Sequence, residues 1–318
     1  MLHKYLFLLL VIGTWLSISW QANPVSRKWP KAIQPHSNYA SEAGFELGRA
    51  LFYEPLLSKD SSISCASCHL SYTGFAHVDH PTSHGIENHI GRRNAPGLMN
   101  LKWRRFFHWD GGVLSLNGQA VNPLTHPDEM GSNLASVLQR LERHPTYRKA
   151  FQRIYKQSKL ETWMLLDALQ QFTSALISSE SFYDKVSAGK YAFNPQQEKG
   201  ALLFQEKCNT CHPAPLFSSD QFQTNQIDTF PTDLGRYEIT GNPKDRYLFR
   251  VPSLRNVTHT YPYMHDGRFR TLKEVMAHYG KQFQLSDDAQ KDLIAFLKTL
   301  TDTSFLHNKR FQYQTLTL

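Results

Sequence analysis

Two pentapeptides decide how this chain is built: Cys65-Ala66-Ser67-Cys68-His69 and Cys208-Asn209-Thr210-Cys211-His212. Together they use all 4 cysteines of a 318-residue sequence. In each, two cysteines enclose two residues and a histidine follows directly. On a helical turn, residues i, i+3 and i+4 share a face, so two thiols can bond the two vinyl groups of one porphyrin while the histidine binds its iron. This is the attachment pattern of c-type haem. A four-cysteine zinc site and a redox dithiol are the rival readings. Zinc pairs usually sit much closer in sequence than Cys68 and Cys208, and neither rival accounts for both histidines. Two covalent haems c are therefore expected, with His69 and His212 as proximal iron ligands.

The surroundings of the two sites read as comparable helical units. Before the first, Ser41 to Tyr53 carries Phe45, Leu47, Leu51 and Phe52 at helical spacing and is stopped by Pro55. Before the second, Asn194 caps a helix that Pro195 opens and that runs through Lys207. Between them, Leu134 to Leu141 and Trp163 to Ile177 follow the same period. Thr271 and Glu274 form a capping box for a helix to Tyr279, and an amphipathic helix after Ser286 carries Leu293, Ile294, Leu297 and Leu300. The expected fold is mainly α, two cytochrome c-like haem domains with long loops and few short strands. An N-terminal haem domain over 36–187 and a C-terminal one over 188–318 are expected, with the boundary near 185–193.

Residues 1–22 read as an export signal: His3 and Lys4, an uncharged apolar run, then small residues at Ser17, Ser19 and Ala22. The rival is an uncleaved anchor, but the uncharged stretch from Tyr5 to Trp20 falls short of the ~20 residues a spanning helix needs. A periplasmic protein is expected. The net charge of +8 is spread over short segments such as Lys102-Trp103-Arg104-Arg105, which suit a solvated or propionate-pairing surface and not a nucleic-acid partner. An aromatic content of 13% suits the enclosure of large flat cofactors.

From Leu47 onward the sequence resembles the bacterial di-haem cytochrome c peroxidase family, which includes MauG. The resemblance runs through Leu47-Gly48-Arg49-Ala50-Leu51-Phe52, Gly91-Arg92-Arg93-Asn94-Ala95-Pro96, Trp109-Asp110-Gly111, Ser115-Leu116, Gln119-Ala120 and Glu129-Met130. In the second half it covers Val251-Pro252-Ser253-Leu254-Arg255-Asn256 and Pro262-Tyr263-Met264-His265-Asp266-Gly267. It implies a first haem that meets hydrogen peroxide and a second that passes electrons. Ile86 stands where blocked members of the family carry a histidine iron ligand, which implies an open first haem; a shifted loop bringing His84 or His89 to the iron is the alternative. Most of the local histidines (His77, His80, His84, His89) read as surface residues. Glu129 matches the family's distal acid–base group, with Gln119 and Pro123 as its companions. That task asks for a partly buried carboxyl with a raised pKa.

For the second haem the family position of the sixth ligand falls on Tyr279, with Met276 and Met264 as competitors. Methionine raises a haem potential; tyrosine, the choice of the MauG-like branch, favours high oxidation states. Trp109 matches the tryptophan between the haems. The resemblance also implies a calcium ion held by Asn94 and by the backbone oxygens of Thr260 and Pro262, hard donors that suit it. Arg92, Arg93 and Arg255 are candidate propionate partners. Where MauG has a tryptophan relay two residues before its second motif, this chain has Glu206. Two-fold dimers occur in the family. Three functions follow: a peroxidase fed by a small donor such as a cytochrome c or cupredoxin, an enzyme that oxidises residues of a partner protein, or a plain electron-transfer cytochrome. Gln119 and Glu129 argue against the last, since wiring alone needs no acid–base pair.

Overall fold

The computed structural model describes residues 29–226 and 232–316, so the expected export signal lies outside the described residues. The chain is mainly helical. Its one sheet among the described residues is a pair of two-residue antiparallel strands, Phe222–Gln223 and Phe249–Arg250, with Phe222 opposite Arg250. Among the described residues no helix is long and apolar enough to cross a membrane.

The sequence signals for helix starts act as expected. Ser41 caps the helix Glu42–Phe52 by accepting from the Gly44 amide. Asn194 and Gln197 close a reciprocal box on Pro195–Lys207, and Thr271 and Glu274 do the same on Leu272–Phe283. Ser286 caps Asp287–Lys298. Two ends differ. The helix expected to reach Ile177 spans Thr162–Ser174, because the next backbone amides are taken elsewhere: Ser178 N–H donates to Asn100 Oδ1 (3.0 Å), and those of Ser179 and Glu180 donate to Asp302 (2.9 Å each). The helix expected to stop at Tyr279 continues one turn to Phe283.

Each haem motif is flanked by a helix that crosses a later one at a glycine. Glu42–Phe52 packs on Thr162–Ser174, and a Cβ at Gly48 would lie 1.9 Å from the Ala168 carbonyl oxygen. Pro195–Lys207 packs on Asp287–Lys298, and a Cβ at Gly200 would lie 2.0 Å from the Asp292 carbonyl oxygen. Only glycine permits backbones this close. Around the crossings two apolar clusters form. The first holds Phe45, Leu51, Phe52, Phe75, Leu165 and Phe172; the second holds Phe204, Phe217, Val275, Leu293, Phe296 and Leu297. Burying one such side chain stabilises by roughly 1.5–3 kcal/mol. The C-terminal residues Phe305, Leu306 and Phe311 return to the first cluster, where Arg49 Nη1 and Tyr53 Oη donate to the carbonyls of Arg310 (2.9 Å) and Phe311 (2.8 Å).

Candidate functional site

Both pentapeptides adopt a single turn that ends in its histidine. Ser64 and Ser67 box the turn Cys65–Cys68, and the His69 amide donates to the Cys65 carbonyl (2.9 Å). The His212 amide makes the same bond to Cys208 (2.9 Å). Each imidazole is then fixed by a phenylalanine carbonyl: His69 Nδ1 donates to Phe75 at 2.7 Å, and His212 Nδ1 to Phe217 at 3.2 Å. Phe75 and Phe217 both sit in the left-handed region, at φ 62° and 50°, which costs a non-glycine residue roughly 1–2 kcal/mol. The conformation aims a carbonyl at Nδ1 and leaves Nε2 as the free lone pair, the tautomer an iron ligand requires. Burial pulls both histidines down to about 4, so both are neutral near pH 7.

The thiols are tuned the other way. Burial, and then Cys68, pushes Cys65 up to about 12, and burial pushes Cys208 up to about 11. A redox dithiol needs a lowered thiol pKa, so that rival has no support in the electrostatics. Among the described residues no three His, Cys, Asp or Glu side chains gather into a metal cage.

Above the first pair of thiols stands the segment that carries Glu129. Ile86 is buried at 3% exposure, its amide donates to the Glu129 carbonyl (2.8 Å), and its Cδ1 fills the space beside Gly131. Burial raises the Glu129 carboxyl above the usual carboxylate range, and its charge reaches both Cys65 and Cys68. Gln119 and Pro123 lie on the same strap, in the short helices Leu116–Gln119 and Val121–Thr125, and the Pro123 carbonyl accepts from Met130 (3.1 Å). His89 is turned outward to Asp128 (3.4 Å), whereas His84 stacks on His80 with ring centres 4.7 Å apart.

The second site opens into a cavity lined by Cys208, Cys211, His212, Met264, Met276 and Tyr279, and further along by Trp109, Asn94, Thr260 and Pro262. Burial, and then the charges of Cys208 and Cys211, pushes the Tyr279 phenol up to about 12. Met276 belongs to the second apolar cluster. Trp109 joins the halves: its Nε1 donates to the Asn94 carbonyl (2.8 Å), and its own carbonyl accepts from the Arg250 amide (2.7 Å).

The comparisons agree with this geometry. The profile of the di-haem cytochrome c peroxidase family matches residues 42–192. A cytochrome c551 peroxidase from Nitrosomonas europaea is 36% identical over 85% of this chain and 82% of its own length. The chain belongs to the di-haem cytochrome c peroxidase family. MauG from Methylorubrum extorquens is 33% identical over 85% of this chain and 82% of its own. Among solved structures, a MauG-like protein associated with microbial copper homeostasis superposes with a TM-score of 0.82 at 29% identity, covering 90% of this chain and 98% of that one. The chain is thus an oxidoreductase of the peroxidase type, and its family implies two haems c.

The polar groups of this di-haem peroxidase test whether haem fits. Arg104 and Arg250 both line the cavity, and neither forms a salt bridge among the described residues. Arg104 reaches Ser218 (3.4 Å), and Arg250 donates to the carbonyls of His108 (3.0 Å) and Val251 (3.2 Å). Burial pulls Arg104 down to about 10, and burial together with Arg104 pulls Arg250 well below the usual range. Asp220 acts on both from a distance, and Asp110 on Arg250, but two desolvated cations without a paired carboxylate suit anionic groups such as haem propionates, which these arginines would hold. Arg92, Arg93 and Arg255, the propionate candidates read from the sequence, are each held by the protein's own carboxylates. Arg92 pairs with Glu238, Arg93 with Asp233 and Asp110, and Arg255 makes two 2.8 Å bonds to Asp184. His77, read as a surface residue, is 7% exposed with both ring nitrogens unpartnered, and His108 Nε2 is likewise buried without a partner. His77 and His108 lie close enough to His69 to act on it electrostatically. Sequence reading missed them because an isolated histidine carries no mark of burial.

Proposed function

We propose that this chain is a periplasmic peroxidase that reduces hydrogen peroxide to water at the His69 haem, with electrons supplied by a small redox protein. The observation that carries the reading is the pairing of Ile86 with Glu129. A buried isoleucine, incapable of binding iron, is tied through its amide to the residue that presents a raised-pKa carboxyl above the first thiols. Bound haem would supply the iron that accepts peroxide and the electrons that reduce it. The protein does the rest. His69 would hold the iron, and the Phe75 carbonyl keeps its proton on Nδ1. Glu129 takes the proton from the near peroxide oxygen and returns it to the far one, which leaves as water. Gln119 and Pro123, in the short helices of the same segment, are its proposed companions. Trp109, hydrogen-bonded to Asn94 and Arg250 and lining the second cavity, would serve as the conduit for electrons between the sites.

Asn94, Thr260 and Pro262 form the proposed calcium site. Asn94 Nδ2 donates to the Pro81 carbonyl (3.0 Å), which leaves Oδ1 for a cation beside the cavity that all three residues line.

The test is the spin state of the ferric protein. One high-spin and one low-spin haem are expected, and Ile86→His should make both low-spin and abolish the peroxide reaction. Two low-spin haems in the native protein, in every redox state, overturn the proposal.

Tyr279 favours a second reading, in which the electrons come from residues of a partner protein. Its phenol lines the cavity with His212 and feels both thiols of that site. A hard oxygen ligand makes the second haem a poor acceptor from a high-potential donor. A long-lived doubly oxidised state after peroxide, formed without prior reduction, decides for this reading.

A further inference from the structure

We propose that Tyr53 and Tyr313 form an exit for oxidising equivalents from the proximal side of the first haem, ending at a surface phenol that becomes oxidised when no donor is present. This rests on the peroxide reaction assigned above to the His69 site. The observation is a run of aromatic rings that begins at the iron ligand and ends in solvent. The Phe52 ring centre lies 6.5 Å from that of His69 and 5.6 Å from that of Tyr53; the Tyr53 ring lies 5.9 Å from Tyr313, which is 64% exposed.

The run is held by structure, not by chance contact. Phe52 closes the helix Glu42–Phe52, and Tyr53 is its C-cap. Tyr53 Oη donates to the Phe311 carbonyl (2.8 Å), while the Phe311 side chain is buried in the first cluster, so the C-terminal segment is pinned with Tyr313 over Tyr53. Beside them Tyr147 donates from its hydroxyl to Glu54, a carboxylate already placed to receive a phenol proton. Phenylalanine is hard to oxidise and serves only as a bridge; Tyr53 and Tyr313 are the oxidisable stations.

The step balances. Two Tyr313 phenols, on two molecules, each give one electron inward through Tyr53 and Phe52 and release one proton to water. Their rings then join through a carbon–carbon bond, each having lost one hydrogen overall. Each molecule takes up its own peroxide, which needs two electrons and two protons to leave as two waters: Tyr313 gives one electron, and the haems give the other and keep that oxidising equivalent.

A second tyrosine–carboxylate pair supplies an internal control. Tyr155 donates to Asp167 (2.9 Å) and packs against the exposed Tyr39 and Trp163, but among the described residues no ring contact joins this group to Phe52 or His69.

The experiment uses the ferric protein with both haems attached and peroxide without a donor. The haem spectrum is followed in parallel with dityrosine fluorescence, covalent dimer formation and peptide mapping. The expected result is a peroxide-dependent dimer linked through Tyr313. It should be absent in Tyr313→Phe and reduced at least about tenfold, the effect of ~1.4 kcal/mol on a rate, in Tyr53→Phe, while both variants keep the native haem response. Tyr313 is exposed, so its variant leaves the core intact. A normal haem response with no tyrosine oxidation overturns the exit alone, as does oxidation that maps to Tyr39, Trp163 or Tyr279 instead. No haem response to peroxide removes the peroxidase reading, and the exit with it.

Discussion

Replacing Glu129 by glutamine separates chemistry from architecture. The swap keeps side-chain volume and leaves the backbone bonds of the strap in place: Ile86 N–H to the Glu129 carbonyl (2.8 Å) and Glu129 N–H to the His126 carbonyl (3.1 Å). It removes a group that burial has pushed above the ordinary carboxylate range. A positioned general acid–base contributes about 10²–10⁴ in rate, equivalent to ~2.7–5.5 kcal/mol of barrier. The peroxide reaction of the ferric protein, followed in the Soret band by stopped flow, should slow by that factor. As the proton acceptor, Glu129 must be ionised, so the native rate should rise with pH through the raised pKa and then level, and the glutamine variant should lack this limb. Stability runs the other way. A carboxyl whose folded pKa is raised stabilises the fold when protonated, and that contribution is lost as pH rises through the folded pKa. At neutral pH the glutamine variant should therefore melt no lower than the native protein. A rate within about threefold of native, or a pH limb that survives the substitution, refutes the assignment of proton transfer to this residue.

Gly200→Ala should cost about 2 kcal/mol, overpacking of the helix crossing outweighing alanine's better helix propensity, because its Cβ would meet the Asp292 carbonyl at 2.0 Å; a melting temperature unchanged within error contradicts the close crossing. Tyr279→Phe should alter the low-spin spectrum of the second haem whereas Met276→Leu should not, and the opposite result transfers the ligand role to Met276. Arg250→Met removes a buried cation from the second crevice and should lower the reduction potential of that haem by about 60 mV, the one-electron equivalent of a tenfold change in equilibrium. Arg250→Lys should retain most of the native potential, and equal potentials in all three proteins would show that Arg250 does not face a propionate.

Local chemistry was legible in the sequence, and long-range geometry was not. The caps at Ser41, Asn194, Thr271 and Ser286 act on amides three residues away, so side-chain type suffices to place them. The two attachment turns are equally local. By contrast, the left-handed phenylalanines that fix His69 and His212 have no residue-type signature, since nothing about phenylalanine predicts a positive φ. The helix Thr162–Ser174 stops early because Asp302, far along the chain, collects the amides of Ser179 and Glu180. Three arginines in motif positions proved committed to carboxylates, two of them, Asp233 and Glu238, more than 130 residues away. Arg104 and Arg250, which lack such partners, became visible as propionate candidates only when the cavity placed them together.

The two halves solve one structural problem in one way and then diverge. Each crosses two helices at a glycine, turns two thiols and a histidine onto one face, and locks the imidazole with the carbonyl of a strained phenylalanine. That shared frame presents an iron ligand and selects no reaction. What differs lies in the segments that follow. In the first half a strap lays isoleucine and a raised-pKa carboxyl beside the thiols; in the second, a helix sets a phenol and a thioether into the crevice. Residues that cannot bind iron leave room for a substrate, and residues that can bind it exclude one. A division of labour between a reacting haem and a wired haem therefore requires no difference in how the two are attached, only in which side chains face them. Exchanging the two kinds of residue, with histidine at Ile86 and leucine at Tyr279, Met276 and Met264, should move the open site from the first haem to the second; a high-spin signal that stays with the His69 haem in that variant would show that the frame, and not its lining, makes the choice.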